Sequence, residues 1–249
     1  MGLEVLKAVS SDNGMCLIAA VDRRATGELI PIPESSDSLV VSPVLEDSLG
    51  DAHVVVDFTN AEGAATVIQT AAANKVNVVI GSTGIPNEVV REANVLADEN
   101  GVGIVIAPNF AMGAVLLMPL AKQAARFFDY ADLTEMHHEA KIDAPSGTAI
   151  AIAKSAVEGK DGGFLNPKAE KEIVAGTRGG NLDGVTIHSA RMPGRVAHHE
   201  LVLGAIGQTL TIRHDSINRE SFMPGVKMAI RHVVKSSGLT VGLDKIMGL

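Results

Sequence analysis

The sequence predicts an α/β fold: a doubly wound parallel sheet, followed by a second, α+β domain with a largely antiparallel sheet. Hydrophobic residues make up 46% of the 249 residues, aromatic residues only 3%, and Trp is absent. This composition is typical of helices packed closely on a sheet. Apolar strands alternate with helices in the first half, which predicts the parallel sheet, and consecutive strands later predict the antiparallel one.

In the first domain, the spacing of apolar residues predicts helices and strands in alternation. Residues 2–11 have helical spacing, and residues 16–21 form an apolar strand that ends at Asp22 and buries Cys16. A Pro- and Ser-rich connection follows through residue 50. The remaining predicted elements are a strand at 54–56, a helix at 61–73, a strand at 76–80, a helix at 86–99 and a strand at 102–107.

The pattern changes after a helix at about 111–127. The predicted elements are then a strand leading to His137, a helix after Ser146, a Gly- and Lys-rich loop over 159–181, and strands near 184–191, 196–204 and 207–214. We expect a final helix at about 219–236 to return to the first domain. The first domain is therefore predicted to comprise residues 1–108 and 217–249, and the second domain residues 109–216.

Composition and charge exclude several classes of function. A formal net charge of −8 argues against non-specific nucleic-acid binding, which needs a basic surface. No apolar run reaches the roughly 18 residues that span a bilayer, and the N-terminus shows no basic region followed by an apolar one. The single cysteine, Cys16, suits a reducing compartment. We expect a cytoplasmic protein that binds neither nucleic acid nor a membrane.

Polar residues follow the predicted parallel strands at the edge where such sheets bind ligands. Asp22 is either the acidic residue that hydrogen-bonds a ribose in a dinucleotide site or a solvated loop aspartate. Arg23 either meets a 2′-phosphate, which would permit NADP as well as NAD, or is an exposed surface arginine. The triplet Asp57-Phe58-Thr59 and the segment Ala107-Pro108-Asn109-Phe110 follow two further strands.

The turn Gly81-Ser82-Thr83-Gly84 joins a strand to a helix. Its backbone can approach a ligand closely, and its N–H groups suit a phosphate or a nicotinamide amide. Taken alone it is a common strand-to-helix turn. The G-x-G-x-x-G fingerprint is not found between a first strand and a first helix, and only Met1-Gly2 stands where its last positions would be.

The most informative stretch runs from His137 to Thr148, with the sequence HHEAKIDAPSGT. His137 is a candidate general acid, and Lys141 adds a positive charge that can hold a carboxylate. His138 is a candidate hydrogen-bond donor, but adjacent residues of an extended segment face opposite sides, so only one histidine is expected to face the reacting atom. Ser146 is a plausible N-cap of the following helix, whose N–H groups favour a carboxylate. The alternative is a purely structural role, in which one histidine is half-buried with its hydrogen bonds satisfied and Ser146 is only a helix cap.

A metal site is a second interpretation, because His137, His138 and Glu139 recur in type as His198, His199 and Glu200. Neither cluster has spacing typical of zinc ligands, and no cysteine is suitably placed. We therefore expect no metal. The second cluster lies in a predicted strand, where alternate polar residues usually mark the solvent face of an antiparallel sheet.

At these residues the chain resembles the 4-hydroxy-tetrahydrodipicolinate reductase (dihydrodipicolinate reductase) family over nearly its whole length. The resemblance is carried by DFT at 57–59, GSTG at 81–84, APNF at 107–110, the HHxxKxDAPSGT pattern at 137–148, and SF followed by PG at 221–225. It implies a Rossmann-like first domain that binds NADH or NADPH and a second domain that binds a dicarboxylate. It further implies a homotetramer held by the sheets of the second domain, and two domains that close over the ligands.

The resemblance also assigns roles residue by residue. His137 is implied to be the proton donor or acceptor and Lys141 a second proton donor, while His138, Gly147 and Thr148 bind the substrate carboxylates. The implied cofactor site is Met1, Asp22, Arg23, Gly81, Ser82, Thr83, Ala107, Pro108, Asn109 and Phe110. The implied reaction reduces 4-hydroxy-tetrahydrodipicolinate to tetrahydrodipicolinate, with loss of water, on the diaminopimelate route to lysine.

The chain departs from the family at its beginning. Family members start with a strand and a glycine-rich loop, whereas this sequence starts at what resembles the end of that loop, near Met1-Gly2. The expectation is a start upstream or a fragment. This departure keeps an alternative open, a cofactor-impaired relative that holds dicarboxylates without turnover, and a metal-dependent hydrolase is a more distant one.

Overall fold

The computed structural model describes residues 1–32 and 35–249. It divides into two compact units, one comprising Met1–Phe110 and Phe222–Leu249 and the other Ala111–Ser221. These limits lie two and five residues beyond the predicted ones at 108 and 216. In chain order the helices and strands are α1 (Gly2–Ser10), β1 (Ala20–Val21), β2 (Leu29–Pro31), β3 (Ser38–Ser42), β4 (Val54–Asp57), α2 (Ala61–Ala73), β5 (Asn77–Ile80), α3 (Asn87–Asn100), β6 (Gly103–Ile106), α4 (Met112–Ala125), β7 (Tyr130–His137), α5 (Gly147–Gly159), β8 (Gly180–Leu182), β9 (Val185–Arg191), β10 (Ala197–Ala205), β11 (Gln208–Ser216), α6 (Met223–Val233), β12 (Gly238–Val241) and α7 (Leu243–Met247).

The first unit is built on a four-stranded parallel sheet in the order β12-β6-β5-β4. Its central strands are continuously apolar, and Val78, Val79, Ile104 and Val105 are fully buried. Alanines such as Ala71 of α2, on the helices beside the sheet, are also fully buried and bring the helices close to it. The predicted alternation of helices and strands over residues 54–107 is therefore confirmed, and the fold class with it.

The predicted strand at residues 16–21 is mostly wrong. Only Ala20–Val21 is a strand, and it pairs with β3 in a separate three-stranded sheet of order β1-β3-β2. Among the described residues no strand pairs with residues 16–19, so Cys16 is exposed rather than buried. The supposed Pro- and Ser-rich connection contains β2 and β3. The final helix ends at Val233, and β12, which follows it, was not predicted.

The second unit contains a five-stranded sheet in the order β11-β10-β7-β9-β8. Three of its pairings are antiparallel, as predicted, but β7 and β9 are parallel. The reason is α5, which lies between these two strands in the chain and serves as the crossover that a parallel pair requires. Helices α4 and α5 cover one face of this sheet, where Leu133, Leu201 and Ile152 are fully buried.

The packing of α5 against α4 depends on Gly159. A Cβ at this position would overlap the backbone carbonyl of Lys122 in α4, and backbone cannot move aside cheaply in a close-packed core. We predict that Gly159→Ala lowers the free energy of unfolding by about 1–3 kcal/mol, measured by urea denaturation. Gly180→Ala is the matched control, since a Cβ there meets nothing within 4 Å. Equal effects of the two substitutions would contradict the close approach of Gly159 to the Lys122 carbonyl.

Among the described residues, no helix is both long and apolar enough to cross a membrane.

Candidate active site

In the first unit, the carboxylate of Asp57 connects the turns that follow two neighbouring parallel strands, β4 and β5. This side chain is buried at the end of β4 and accepts hydrogen bonds from the hydroxyls of Thr59 and Ser82, each at 2.6 Å. The Asp57 carboxylate thus joins the turn after β4 to the turn after β5. Because the Ser82 hydroxyl donates in this bond, its side chain has no donor left for a ligand.

The turn after β5 is closely packed because of Gly81. A Cβ at this position would overlap the ring of Phe58, whose centroid lies 5.7 Å from that of Phe110. Gly225 of α6 is equally constrained, because a Cβ there would overlap the carbonyl of Phe110. Phe58 and Phe110 thus occupy the space that a side chain at Gly81 or Gly225 would need, so these two positions require glycine. These contacts hold the predicted ligand-binding turns in fixed positions.

The other residues of the predicted cofactor site lie around this edge or in separate elements. Ala107 is buried after β6, where its N–H donates to the carbonyl of Ile80, and Thr83 and Pro108 are exposed. Asn109 is half-buried. Met1 is the N-cap of α1, a helix that packs on α6.

Asp22 lies exposed at the end of β1, and its carboxylate interacts with Arg24, two residues further along the chain. Its carboxylate accepts the backbone N–H of Arg24 at 2.9 Å and lies 3.5 Å from the Arg24 Nε. Hydrogen bonds from the Arg24 backbone and side chain keep the pKa of Asp22 below its ordinary value. The exposed carboxylate is therefore ionised at neutral pH, and Arg24 rather than Arg23 is its partner.

In the second unit, strand β7 delivers Glu135 and His137 to the same face, since they are two residues apart. Glu135 is fully buried, and its Oε2 lies 2.5 Å from Nδ1 of His137. Arg191 is the register partner of His137 on the parallel strand β9. Its guanidinium holds both Glu135 oxygens, from Nη1 at 3.0 Å and from Nη2 at 2.8 Å.

The loop after β7 carries Lys141, whose positive charge acts on His137. Its ammonium donates to the carboxylate of Asp143 at 2.6 Å, and the Asp143 carbonyl accepts from Arg191 at 2.7 Å. The Lys141 side chain is 22% exposed, whereas the Asp143 side chain is 52% exposed. His138 is exposed, unlike the buried His137, which agrees with the expectation that the adjacent histidines face different sides.

Ser146 is the N-cap of α5, as predicted, with its Oγ accepting from the N–H of Ala149 at 3.1 Å. The Ser146 Oγ also lies 3.1 Å from Nε2 of His199, and the tautomer of His199 decides which of the two groups donates. The N–H of Ser146 donates to Oε1 of Glu135 at 3.3 Å. Gly147 and Thr148 occupy the first turn of α5, next to this fixed cap.

The electrostatics of the cluster favour an ionised Glu135 and a neutral His137. Burial raises the pKa of Glu135, but hydrogen bonds from Arg191, Ser189 and His137 outweigh it, so that the pKa lies below its ordinary value. Burial lowers the pKa of His137, against the opposing effect of Glu135. At neutral pH the Nδ1–H of a neutral His137 therefore donates to Glu135, which leaves Nε2 with a free lone pair.

His199 is a buried histidine whose pKa is strongly lowered. It is 2% exposed, and its ring meets that of His137 edge to face at a centroid distance of 5.4 Å. Burial, followed by the charge of His137, lowers the pKa of His199 from 6.5 to about 4. Within the described residues its Nδ1 has no hydrogen-bond partner.

This shift predicts that the protein loses stability in mild acid. The unfolded chain binds a proton at His199 below about pH 6.5 and the folded chain only near pH 4, so the stabilisation is complete above pH 6.5 and is lost as the pH falls. At pH 5 the loss from this residue is about 2 kcal/mol. Urea denaturation at pH 7 and pH 5 should show it, and His199→Gln should make the pH dependence shallower. An unchanged slope in His199→Gln would contradict the assignment.

Sequence reasoning identified His137, Lys141 and Ser146, and the structure brings them to one end of the second sheet. It missed Glu135, Arg191, Asp143 and His199. The spacing of Glu135 and His137 on one strand face was a usable signal. Arg191 and His199 depend on strand register, and His199 was assigned to a solvent face although it is buried. No group of three metal-ligating side chains occurs within residues 1–32 and 35–249.

Family models match both units of the chain. The model described as dihydrodipicolinate reductase, N-terminus, matches residues 1–110, and that described as dihydrodipicolinate reductase, C-terminus, matches residues 113–247. The gap between the two matches falls at the boundary between the two compact units.

Curated relatives and a solved structure match at high coverage. A 4-hydroxy-tetrahydrodipicolinate reductase of Dehalococcoides mccartyi is 44% identical over 100% of this chain and 95% of its own length. One from Shouchella clausii is 41% identical over 99% of this chain and 95% of its own. The structure of a dipicolinate-bound dihydrodipicolinate reductase from Paenisporosarcina sp. TG-14 superposes with a TM-score of 0.84 at 37% identity, covering 99% and 96% of the two chains. The chain therefore belongs to the dihydrodipicolinate reductase family, which consists of NAD(P)H-dependent oxidoreductases of lysine biosynthesis.

Proposed function

We propose that this chain reduces 4-hydroxy-tetrahydrodipicolinate to tetrahydrodipicolinate with NADH or NADPH, and that His137 and Lys141 handle the protons. The observation that carries the residue assignment is the cluster at the end of β7. There an ion-paired lysine, a buried imidazole on a carboxylate and a capped helix N-terminus lie within twelve residues of the chain.

The proton roles follow from the hydrogen bonds. Reduction adds a hydride and a proton to the substrate and releases water. The protein therefore needs one group that donates a proton and one group that can both accept and donate a proton. Lys141 carries three N–H donors and supplies a proton directly. His137, with Nδ1–H held by Glu135, exchanges its proton at Nε2, where a neutral ring accepts and a charged ring donates.

The substrate class follows from charge. Lys141 is a point charge for a carboxylate, and the first turn of α5 at Gly147 and Thr148 carries the positive end of a helix dipole. His138, exposed next to His137, adds a donor for a second carboxylate. The relative from Paenisporosarcina holds dipicolinate, a dicarboxylate, which supports the same class of ligand here.

The strand ends of the first unit fit a nicotinamide cofactor. Gly81, Ser82 and Thr83 form the turn after β5, in which Thr83 is exposed, and Ala107 to Phe110 form the turn on the next strand. Asp22 would accept hydrogen bonds from a ribose, with Arg23 and Arg24 beside it for a 2′-phosphate. We assign Met1, at the N-cap of α1, to the same site. When bound, the cofactor supplies the hydride from its nicotinamide C4.

We also propose that the chain acts in the cytoplasm as a homotetramer assembled through the sheets of the second unit. The exposed, unpaired thiol of Cys16 suits a reducing compartment. On the face of the second sheet opposite Leu133 and Leu201, residues of β7 and β10 such as Thr134 and Val202 are partly exposed, which supports the contact. Light scattering should give four times the chain mass of 25.9 kDa, and a monomer would contradict the proposal.

The assay of NADH and NADPH oxidation tests the function. The substrate is generated freshly by enzymatic condensation, and the product is identified by mass spectrometry. We expect turnover that depends on the dicarboxylate and product two hydrogens richer than the dehydrated substrate. Binding of the dicarboxylate without oxidation of either cofactor would contradict the proposal and favour the cofactor-impaired alternative.

A further inference from the structure

Glu135 is a buried carboxylate of the second unit with hydrogen bonds to His137, Arg191 and Ser146. All its accessible surface is lost on folding, four nitrogen donors surround its two oxygens, and the Ser189 hydroxyl is a further hydrogen-bond partner. Oε2 meets Nδ1 of His137 at 2.5 Å and Nη1 of Arg191 at 3.0 Å. Oε1 meets Nη2 of Arg191 at 2.8 Å and the N–H of Ser146 at 3.3 Å. A single carboxylate therefore joins the histidine of the proton machinery to the cap of the carboxylate-binding helix.

Arg191 determines the protonation state and the orientation of the Glu135 carboxylate. Its guanidinium has only donors, and besides Glu135 it donates to the carbonyls of Ala190 and Asp143, both at 2.7 Å. The latter bond ties it to the loop that carries Lys141. Because Arg191 needs acceptors on both Glu135 oxygens, a protonated Glu135 would place a hydrogen against a donor. The pair is consequently an ionised carboxylate held in a fixed plane.

We propose that Glu135, which Arg191 holds in place, is a positioning residue that keeps His137 in the Nδ1–H tautomer, so that proton exchange takes place at Nε2. The inference rests on the proposed function for its kinetic part, but the tautomer itself is a property of the protein alone. An orienting carboxylate on the far nitrogen of an imidazole is a recurrent way to fix its tautomer.

Replacing Glu135 with Gln should reverse the tautomer, for a reason that the contacts make specific. Placed where Oε1 now lies, the amide NH2 would face two donors, Arg191 and Ser146. In the place of Oε2 it would face one donor, Arg191, and could donate to an unprotonated Nδ1 of His137. The Ser189 hydroxyl, which also bonds to Glu135, can accept as well as donate and so fits either orientation. The second orientation therefore has fewer conflicts, and it forces His137 into the Nε2–H form. Oε1 of the new Gln then still accepts from Ser146, which preserves the helix cap.

Three variants separate positioning from general damage. Glu135→Gln should change the tautomer. Arg191→Lys keeps a positive charge but loses the two-pronged contact, so it weakens the support while Glu135 remains an acceptor and the Nδ1–H tautomer persists. Asp215→Asn is the matched control, because Asp215 holds Nδ1 of His198 at 2.5 Å and also accepts from Arg213 at 2.8 Å, on the neighbouring strands and away from His137.

The primary readout is the ring 15N spectrum of histidine-labelled protein at about pH 8, where ordinary histidines are neutral. The His137 signals are assigned by their loss in His137→Gln. We expect the Nδ1–H pattern in the wild type, Arg191→Lys and Asp215→Asn, and the Nε2–H pattern in Glu135→Gln. An Nε2–H pattern in the wild type would overturn the proposal even if no variant folds, and so would an unchanged tautomer in Glu135→Gln.

Kinetics supply the second readout. In Glu135→Gln we expect kcat to fall about 10- to 100-fold, with KM for the dicarboxylate changed less than about threefold. The acid limb of the pH profile should shift to lower pH, because the carboxylate that favours the charged ring is gone. The other charged groups near His137, namely Lys141, Arg191 and His199, remain. A wild type without turnover would refute the function but not the tautomer, whereas normal kinetics in Glu135→Gln would refute the positioning role.

Discussion

Replacing Lys141 with Met is expected to lower kcat/KM for the dicarboxylate by about 10³-fold. The substitution removes a proton donor and a positive charge at once. It also leaves the carboxylate of Asp143, now 2.6 Å from the ammonium, without its partner near an anionic substrate. The hydrogen bond from Lys141 is the largest of the effects that lower the pKa of Asp143, so this pKa should rise in the variant. Steady-state oxidation of NADH measures the kinetic effect.

Lys141→Arg distinguishes the two roles of this residue. Arginine keeps the charge but does not give up a proton at neutral pH, so KM should recover towards the wild-type value while kcat stays low. Lys154→Met, at an exposed position of α5, is the control for loss of a lysine from the same unit. Wild-type kcat in Lys141→Arg would show that Lys141 only binds the substrate.

Replacing His137 with Gln is expected to lower kcat by about 10²- to 10³-fold, with a smaller change in KM. Gln has nearly the reach of the imidazole and can still donate to Glu135, but it cannot exchange a proton in the neutral pH range. The acid limb of the pH profile that reports His137 should also disappear. Because burial lowers the pKa of His137, this limb should lie below about pH 6.5 in the wild type.

His198→Gln is the control for this prediction. His198 is likewise 7% exposed, and its Nδ1 is likewise held by a carboxylate, that of Asp215. It lies on the face of β10 opposite His199, since the two residues are adjacent in the strand. Its loss should leave kcat within about threefold of the wild type. Similar losses from both histidines would attribute the effect to sheet stability rather than to chemistry.

The sequence predicted the parallel sheet well because its strands carry their signal locally. A run such as Val78-Val79-Ile80 is buried on both sides and needs no knowledge of its neighbours. The strand predicted at residues 16–21 failed over residues 16–19 for the opposite reason, since an apolar run becomes a strand only where a partner exists. The parallel pairing of β7 with β9 was also missed, because register and order depend on where α5 packs.

The candidate site could be predicted from the sequence only as far as its residues are close in sequence. His137, Lys141 and Ser146 lie in one segment, and their chemistry is apparent from residue type. Arg191 and His199 come from β9 and β10, 54 and 62 positions after His137 in the numbering, and only the strand register brings them to Glu135 and Ser146. Burial then decides the charge states, which residue type alone does not determine.

A single turnover with excess enzyme tests the central claim most directly, namely that His137 and Lys141 supply the protons of a reductase. Wild-type protein and the double variant His137→Gln Lys141→Met are mixed with NADH and the dicarboxylate, and loss of reduced cofactor is followed optically. We predict that the wild type oxidises one equivalent of NADH in step with product formation. The double variant should be about as slow as the slower single variant, because groups that act together are not additive. Oxidation by the double variant at close to the wild-type rate would contradict the account.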